Sequence, residues 1–176
     1  MNPQSGSKPQ YRLNFLKVGF LAIIMVYGLV GAFNYNAFWF LHGVDLIFHE
    51  AGHVVFGFFG DFIQFLGGTL MQLLVPAGLT LYFFIKRQLF SGAVTMFWTA
   101  QNLMDISVYI KDARAMLLPL IGGGEHDWSF LLSSLHLLKY DQVIGKFVFV
   151  SGCLLFLISM VVGFFYSFEE GSETAD

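Results

Sequence analysis

Residues Leu41 to Phe59 read LHGVDLIFHEAGHVVFGFF, an apolar helix-forming run that carries His49, Glu50 and His53 where a lipid-facing span would carry leucine or valine. Residues four apart share a helix face, so His49 and His53 can present ring nitrogens to one metal ion. Glu50 lies about 100° around the helix from His49, in reach of the proton of a metal-activated water. His42 and Asp45 extend the same face, so His42, Asp45, His49 and His53 form one polar stripe. Asp45, one turn before His49, is expected to hold its imidazole N–H and fix its tautomer. Ionisable groups at membrane depth are expensive, and several on one stripe call for a compensating interaction. A metal ion supplies one, and zinc is the one that the His-Glu-x-x-His order points to.

The composition says what solvent surrounds this stripe. Of 176 residues, 56% are hydrophobic and only 12% charged, about half the charge share of a soluble domain, which predicts an all-α, polytopic integral membrane protein. The single cysteine, Cys153, excludes a disulfide framework or a thiolate zinc site within one chain. A net charge of −3 gives no reason to expect a nucleic-acid partner. The expected surroundings are a lipid bilayer, with a membrane protein partner as an option.

Five transmembrane helices are predicted, at about 15–33, 37–59, 65–85, 90–110 and 147–168. Residues 1–14 read as a disordered polar tail and 169–176 as an acidic one. The first apolar run exceeds a signal-peptide core and is followed by no small-residue cleavage site, so it reads as a retained span. The connection 111–146 holds a glycine-rich stretch, Gly122 to Trp128, and Asp127 is a candidate N-cap for a short amphipathic interfacial helix from Trp128 to about Leu138. With five spans, seven basic residues fall on the N-terminal side (Lys8, Arg12, Lys17, Lys111, Arg114, Lys139, Lys146) and two on the other (Lys86, Arg87). That bias predicts a cytoplasmic N-terminus and a C-terminus across the membrane; the expected location is a bacterial or organellar inner membrane.

A catalytic zinc needs a third protein ligand. Asp105 lies mid-span, where an unpaired carboxylate is costly, and is the expected ligand; pairing with His42 or Arg114 is the alternative. Gln101 and Asn102 sit beside Asp105, Tyr109 and Asp112 follow on its face, and together they outline a polar stripe opposite that of the second span. Glu125 and His126 are further candidate ligands, in a loop better suited to a lid or an outer shell. His136 reads as an interfacial histidine. Gln72, the lone amide of the third span, either contacts substrate backbone or bonds across helices.

With His49-Glu50-x-x-His53 inside one span and Asn102-Leu-Met-Asp105 on a later one, the chain resembles the site-2 protease family of intramembrane zinc metalloproteases. In that family a later span carries an Asn/Leu-x-Asp-Gly element whose aspartate completes the zinc site; here Ile106 stands where the glycine would be. The resemblance covers roughly spans two to four. It implies hydrolysis of peptide bonds of membrane-embedded protein or peptide substrates, in or near the membrane, with Glu50 as general base and His49, His53 and Asp105 as zinc ligands. Membrane families that take a late glutamate as third ligand fit less well, because no glutamate occurs in a later span. The reading from a different class is a non-catalytic membrane subunit whose metal site serves structure or sensing.

Overall fold

Apolar runs too long for a soluble core become helices, and polar punctuation ends them. The computed structural model of the chain describes residues 11–34, 38–120 and 124–170. Among these, the helices are α1 (Phe15–Phe33), α2 (Trp39–Phe56), α3 (Asp61–Ile85), α4 (Leu89–Lys111), α5 (Asp127–Ser134) and α6 (Asp141–Phe165). Single 3-10 turns follow α2 (Gly57–Phe59) and precede α6 (Leu138–Tyr140). The mainly helical class matches the sequence expectation. Two elements are longer than expected: α3 begins four residues before 65, and α6 begins six before 147. The expected interfacial helix is short, ending at Ser134.

Among the described residues, three helices are long and apolar enough to cross a membrane: α1, α3, and α6 together with the turn before it. α2 and α4, expected as spans two and four, are not among them. The reason is chemical, since their polar stripes displace apolar residues from 18- and 23-residue helices. The apolar outer faces are those expected of lipid contact, with Leu16, Phe33, Phe58 and Leu117 each more than 80% exposed. In water each such side chain would forgo about 1.5–3 kcal/mol of burial.

The two chain ends differ from expectation. Tyr11–Leu13 forms a strand, β1, paired antiparallel with β2 (Phe168–Glu170), so part of each expected tail is ordered. Asn14 N–H donates to the Ser167 carbonyl, and Lys17 pairs with Glu169 at 2.7 Å. The start of α1 and the end of α6 therefore lie at the same end of the bundle. An arrangement with the ends on opposite sides of a membrane does not fit this pairing.

Two apolar clusters hold the helices together. Leu21 and Ile24 of α1, Phe97, Ala100 and Met104 of α4, Phe156 of α6 and Phe38 form one. Ile106, Ile110 and Ala113 close on Leu132 of α5 in the other, which ties that short helix to the end of α4. Between α2 and α3 the backbones meet. A Cβ at Gly52 would clash with the Gly67 carbonyl, and one at Gly67 would sit 2.8 Å from the Gly52 carbonyl. Gly52→Ala is expected to destabilise the protein by about 1–3 kcal/mol through this overpacking. Gly43→Ala, with open space around it, should be neutral or stabilising. Unfolding midpoints of the two variants in detergent check the pair.

Candidate metal centre

The close approach of α2 and α3 carries the two histidines of the motif inward. A Cβ at Gly68 would lie 2.7 Å from the His49 ring and 2.8 Å from the His53 ring, so only a glycine leaves room for both. The rings stand edge to face with centroids 4.8 Å apart. Each has its Nδ1 occupied: His53 Nδ1 donates to the Gln64 carbonyl at 2.8 Å, and His49 Nδ1 meets Gln72 Oε1 at 3.2 Å. Both Nε2 atoms then converge on Asp127 Oδ2, at 2.7 Å from His49 and 3.2 Å from His53. His49, His53 and Asp127 form the one group among the described residues whose atoms are arranged to hold a metal ion.

The chemistry of the donor set tests the fit. A backbone carbonyl only accepts, so His53 Nδ1 carries a hydrogen, and Gln72 Oε1 imposes the same on His49. Neutral rings in that state offer Nε2 as lone-pair acceptors, and they face a carboxylate that also has only lone pairs. A positive charge must stand among them, either a proton on each ring or one divalent cation. The separations are close to the ligand–ligand edge of a tetrahedral zinc site, about 3.3 Å for bonds near 2.0 Å. Two nitrogens and a carboxylate oxygen are a donor set that zinc accepts.

Asp127 comes from an element that sequence reasoning treated as peripheral. It is the first residue of α5 and not its N-cap; His126 is the cap, its Nδ1 accepting from Ser129 N–H at 3.2 Å. α5 is seated by the buried Leu131 and Leu132, and the Asp127 N–H donates to the Tyr109 hydroxyl at 3.2 Å. The Tyr109 ring also lies against that of His126, with centroids 4.2 Å apart. Burial pushes the Asp127 carboxyl up, but with a proton on each ring His49 and His53 donate to it, and these bonds outweigh burial and hold the group below the ordinary carboxylate range. Burial pushes His126 below the ordinary histidine value against the pull of Asp112, consistent with a neutral capping ring.

The other expected site residues take different places. Asp105, the expected third ligand, is outside the triad: Oδ1 accepts from His42 Nδ1 at 2.9 Å and Oδ2 from Gln72 Nε2 at 3.0 Å. The alternative pairing with His42 is the one found, while Arg114 pairs with Asp141. Asp45 does not reach His49; it is fully buried and accepts from Trp98 Nε1 at 2.7 Å and Asn102 Nδ2 at 3.0 Å. The tautomer-fixing contact expected of Asp45 is made by Gln72, one helix away. Gln101 and Asn102 are buried but do not line the cavity. His126 caps α5 and lies outside the triad, and the Gln64 carbonyl, a backbone atom, left no signal in the sequence.

A cavity of about 650 Å³ runs along this stripe from His42 to Asp127. Glu50 lines it and is exposed, beside the triad and outside it. The walls mix Leu46, Phe65, Ile106 and the loop stretch Leu118-Pro119-Leu120 with these polar groups. Comparison with family models, curated proteins and solved structures returns no match for this chain.

Gly68→Ala is expected to abolish metal loading while leaving helix content unchanged, because its methyl group would displace both rings at once. Metal analysis of the purified variant, with circular dichroism beside it, checks this.

Proposed function

We propose that this chain is a membrane-embedded zinc metalloprotease that cleaves peptide bonds of membrane-associated substrates. One observation carries the reading: two imidazoles with committed Nδ1 hydrogens and a buried carboxylate share a single point in a cavity that Glu50 also lines. His49, His53 and Asp127 would hold the ion, with Asp127 in the place that the family resemblance assigned to Asp105. Zinc held there would polarise a substrate carbonyl and lower the pKa of water toward neutrality. Glu50 is the general base: it is a carboxylate at the cavity wall that makes no ion pair among the described residues, and so it is available to take a proton. The cavity is lined by α2 residues from His42 to His53, and its apolar walls suit a segment drawn from a membrane span. Such a segment must be unwound, because helical hydrogen bonds shield the scissile carbonyl.

The paired chain ends bear on how the protein crosses the bilayer. Four crossings, by α1, α3, α4 and α6, put both ends on one side, with α2 entering and leaving by the same face. α4 has 23 residues, about 34 Å of helix, and runs antiparallel to α3 and α6. The basic residues then divide five (Lys8, Arg12, Lys17, Lys86, Arg87) against four (Lys111, Arg114, Lys139, Lys146). That balance no longer favours a cytoplasmic N-terminus.

Glu50→Gln is expected to retain zinc at wild-type stoichiometry and to lose proteolysis of a membrane-span peptide by about a hundredfold or more. Chelation should remove the wild-type activity, and added zinc should restore it. Cleavage by Glu50→Gln at the wild-type rate would end the proposal.

A further inference from the structure

The two imidazoles of the centre are held in unlike ways. His53 Nδ1 faces a backbone carbonyl, whose chemistry is fixed. His49 Nδ1 faces a side-chain amide, which presents an oxygen or an NH2 group according to which way it is turned. What turns it is Asp105. An ionised carboxylate only accepts, and its Oδ2 lies 3.0 Å from the Gln72 nitrogen, so the amide NH2 points to Asp105 and the oxygen to His49. The other carboxylate oxygen is taken by His42, at the far end of the cavity. Gln72 and Asp105 are 4% and 6% exposed, so water does not compete for these contacts.

We propose that Gln72 is a positioning residue of the metal centre, and that Asp105, steadied by His42, sets its amide so that His49 meets the cation through a bare Nε2. This rests on the metal-centre reading above and extends it. Turning the amide over would set Gln72 Oε1 against the Asp105 carboxylate and its NH2 against His49 Nδ1. His49 would then carry its hydrogen on Nε2, aimed at Asp127, and an N–H cannot ligate a metal. A carboxylate three side chains from the metal thereby decides which ring nitrogen is free, with no bond to the ion. The same chain accounts for a buried aspartate in a span where an unpaired one would be costly.

The test separates a ligand from a supporting group. Zinc affinity is measured by chelator competition for the wild type, Gln72→Leu, Asp105→Asn and Asp105→Leu. The tautomer of His49 is read by 15N NMR of metal-free, histidine-labelled protein at mildly alkaline pH, assigned through His49→Ala. Gln72→Leu and Asp105→Leu are expected to weaken zinc binding by about 10–100-fold and to mix the His49 tautomers. Asp105→Asn should stay close to wild type in both readouts, because its carbonyl oxygen still accepts from Gln72 while its NH2 serves His42. Loss of zinc in Asp105→Asn as complete as in His49→Ala would make Asp105 a ligand and overturn the proposal. So would a metal-free wild-type His49 carrying its hydrogen on Nε2, or wild-type affinity in Gln72→Leu. A protein that binds zinc and cleaves nothing removes the proteolytic reading and leaves this one standing.

Discussion

Lone pairs that face one another repel, and this protein is arranged around three that do. The Nε2 atoms of His49 and His53 are turned toward the Asp127 carboxylate because their other nitrogens are already spoken for, by an amide oxygen and a backbone carbonyl. Much of the surrounding architecture serves that convergence. Glycines at 52, 67 and 68 let α2 and α3 touch, and α4 supplies the apolar seat that fixes α5 and hence Asp127. Remove the positive charge from the middle and the arrangement loses its electrostatic sense, since a buried carboxylate beside two neutral acceptors has nothing to offset its desolvation.

The apolar helices are compatible with a membrane, and that setting would account for how so polar a stripe is tolerated. In a bilayer, apolar residues on the outer faces of α1, α3 and α6 would meet acyl chains at no cost, leaving the inward faces of α2 and α4 to carry His, Asp, Asn and Gln. Several of these groups have a partner on a neighbouring helix, as with Asp45 under Trp98 and Asn102, or Asp105 between His42 and Gln72. The network rigidifies the interior of the bundle and leaves Glu50 outside it, facing the cavity. On the proposed hydrolytic reading this division is apt: the groups that hold the site are locked, and the group assigned to proton transfer is not.

Much of this was legible in the sequence, and the remainder was hidden for identifiable reasons. The period of the His42–His53 stripe gave the face of α2 on which His49 and His53 converge, and the apolar runs gave α1 to the residue and located α3 and α6, which begin four and six residues before their expected starts. Asp105 drew attention correctly as a buried carboxylate needing a partner, but one-dimensional spacing does not say whether that partner is a metal or a histidine. Asp127 was misread because a residue just before an apolar helix looks like a cap. The signal that pointed to it was the unusual run Glu125-His126-Asp127, three ligating types in a row entering a helix whose leucines are buried. The same-side ends were invisible, because two three-residue strands leave no periodicity to detect.

The most direct test of the centre is an X-ray absorption spectrum at the zinc edge of the purified, zinc-loaded protein. The expected spectrum has a first shell of about four light atoms without sulfur, and outer-shell scattering from two imidazole rings. A protein that refuses zinc, or a bound ion whose spectrum shows fewer than two imidazoles, would contradict the account at its root.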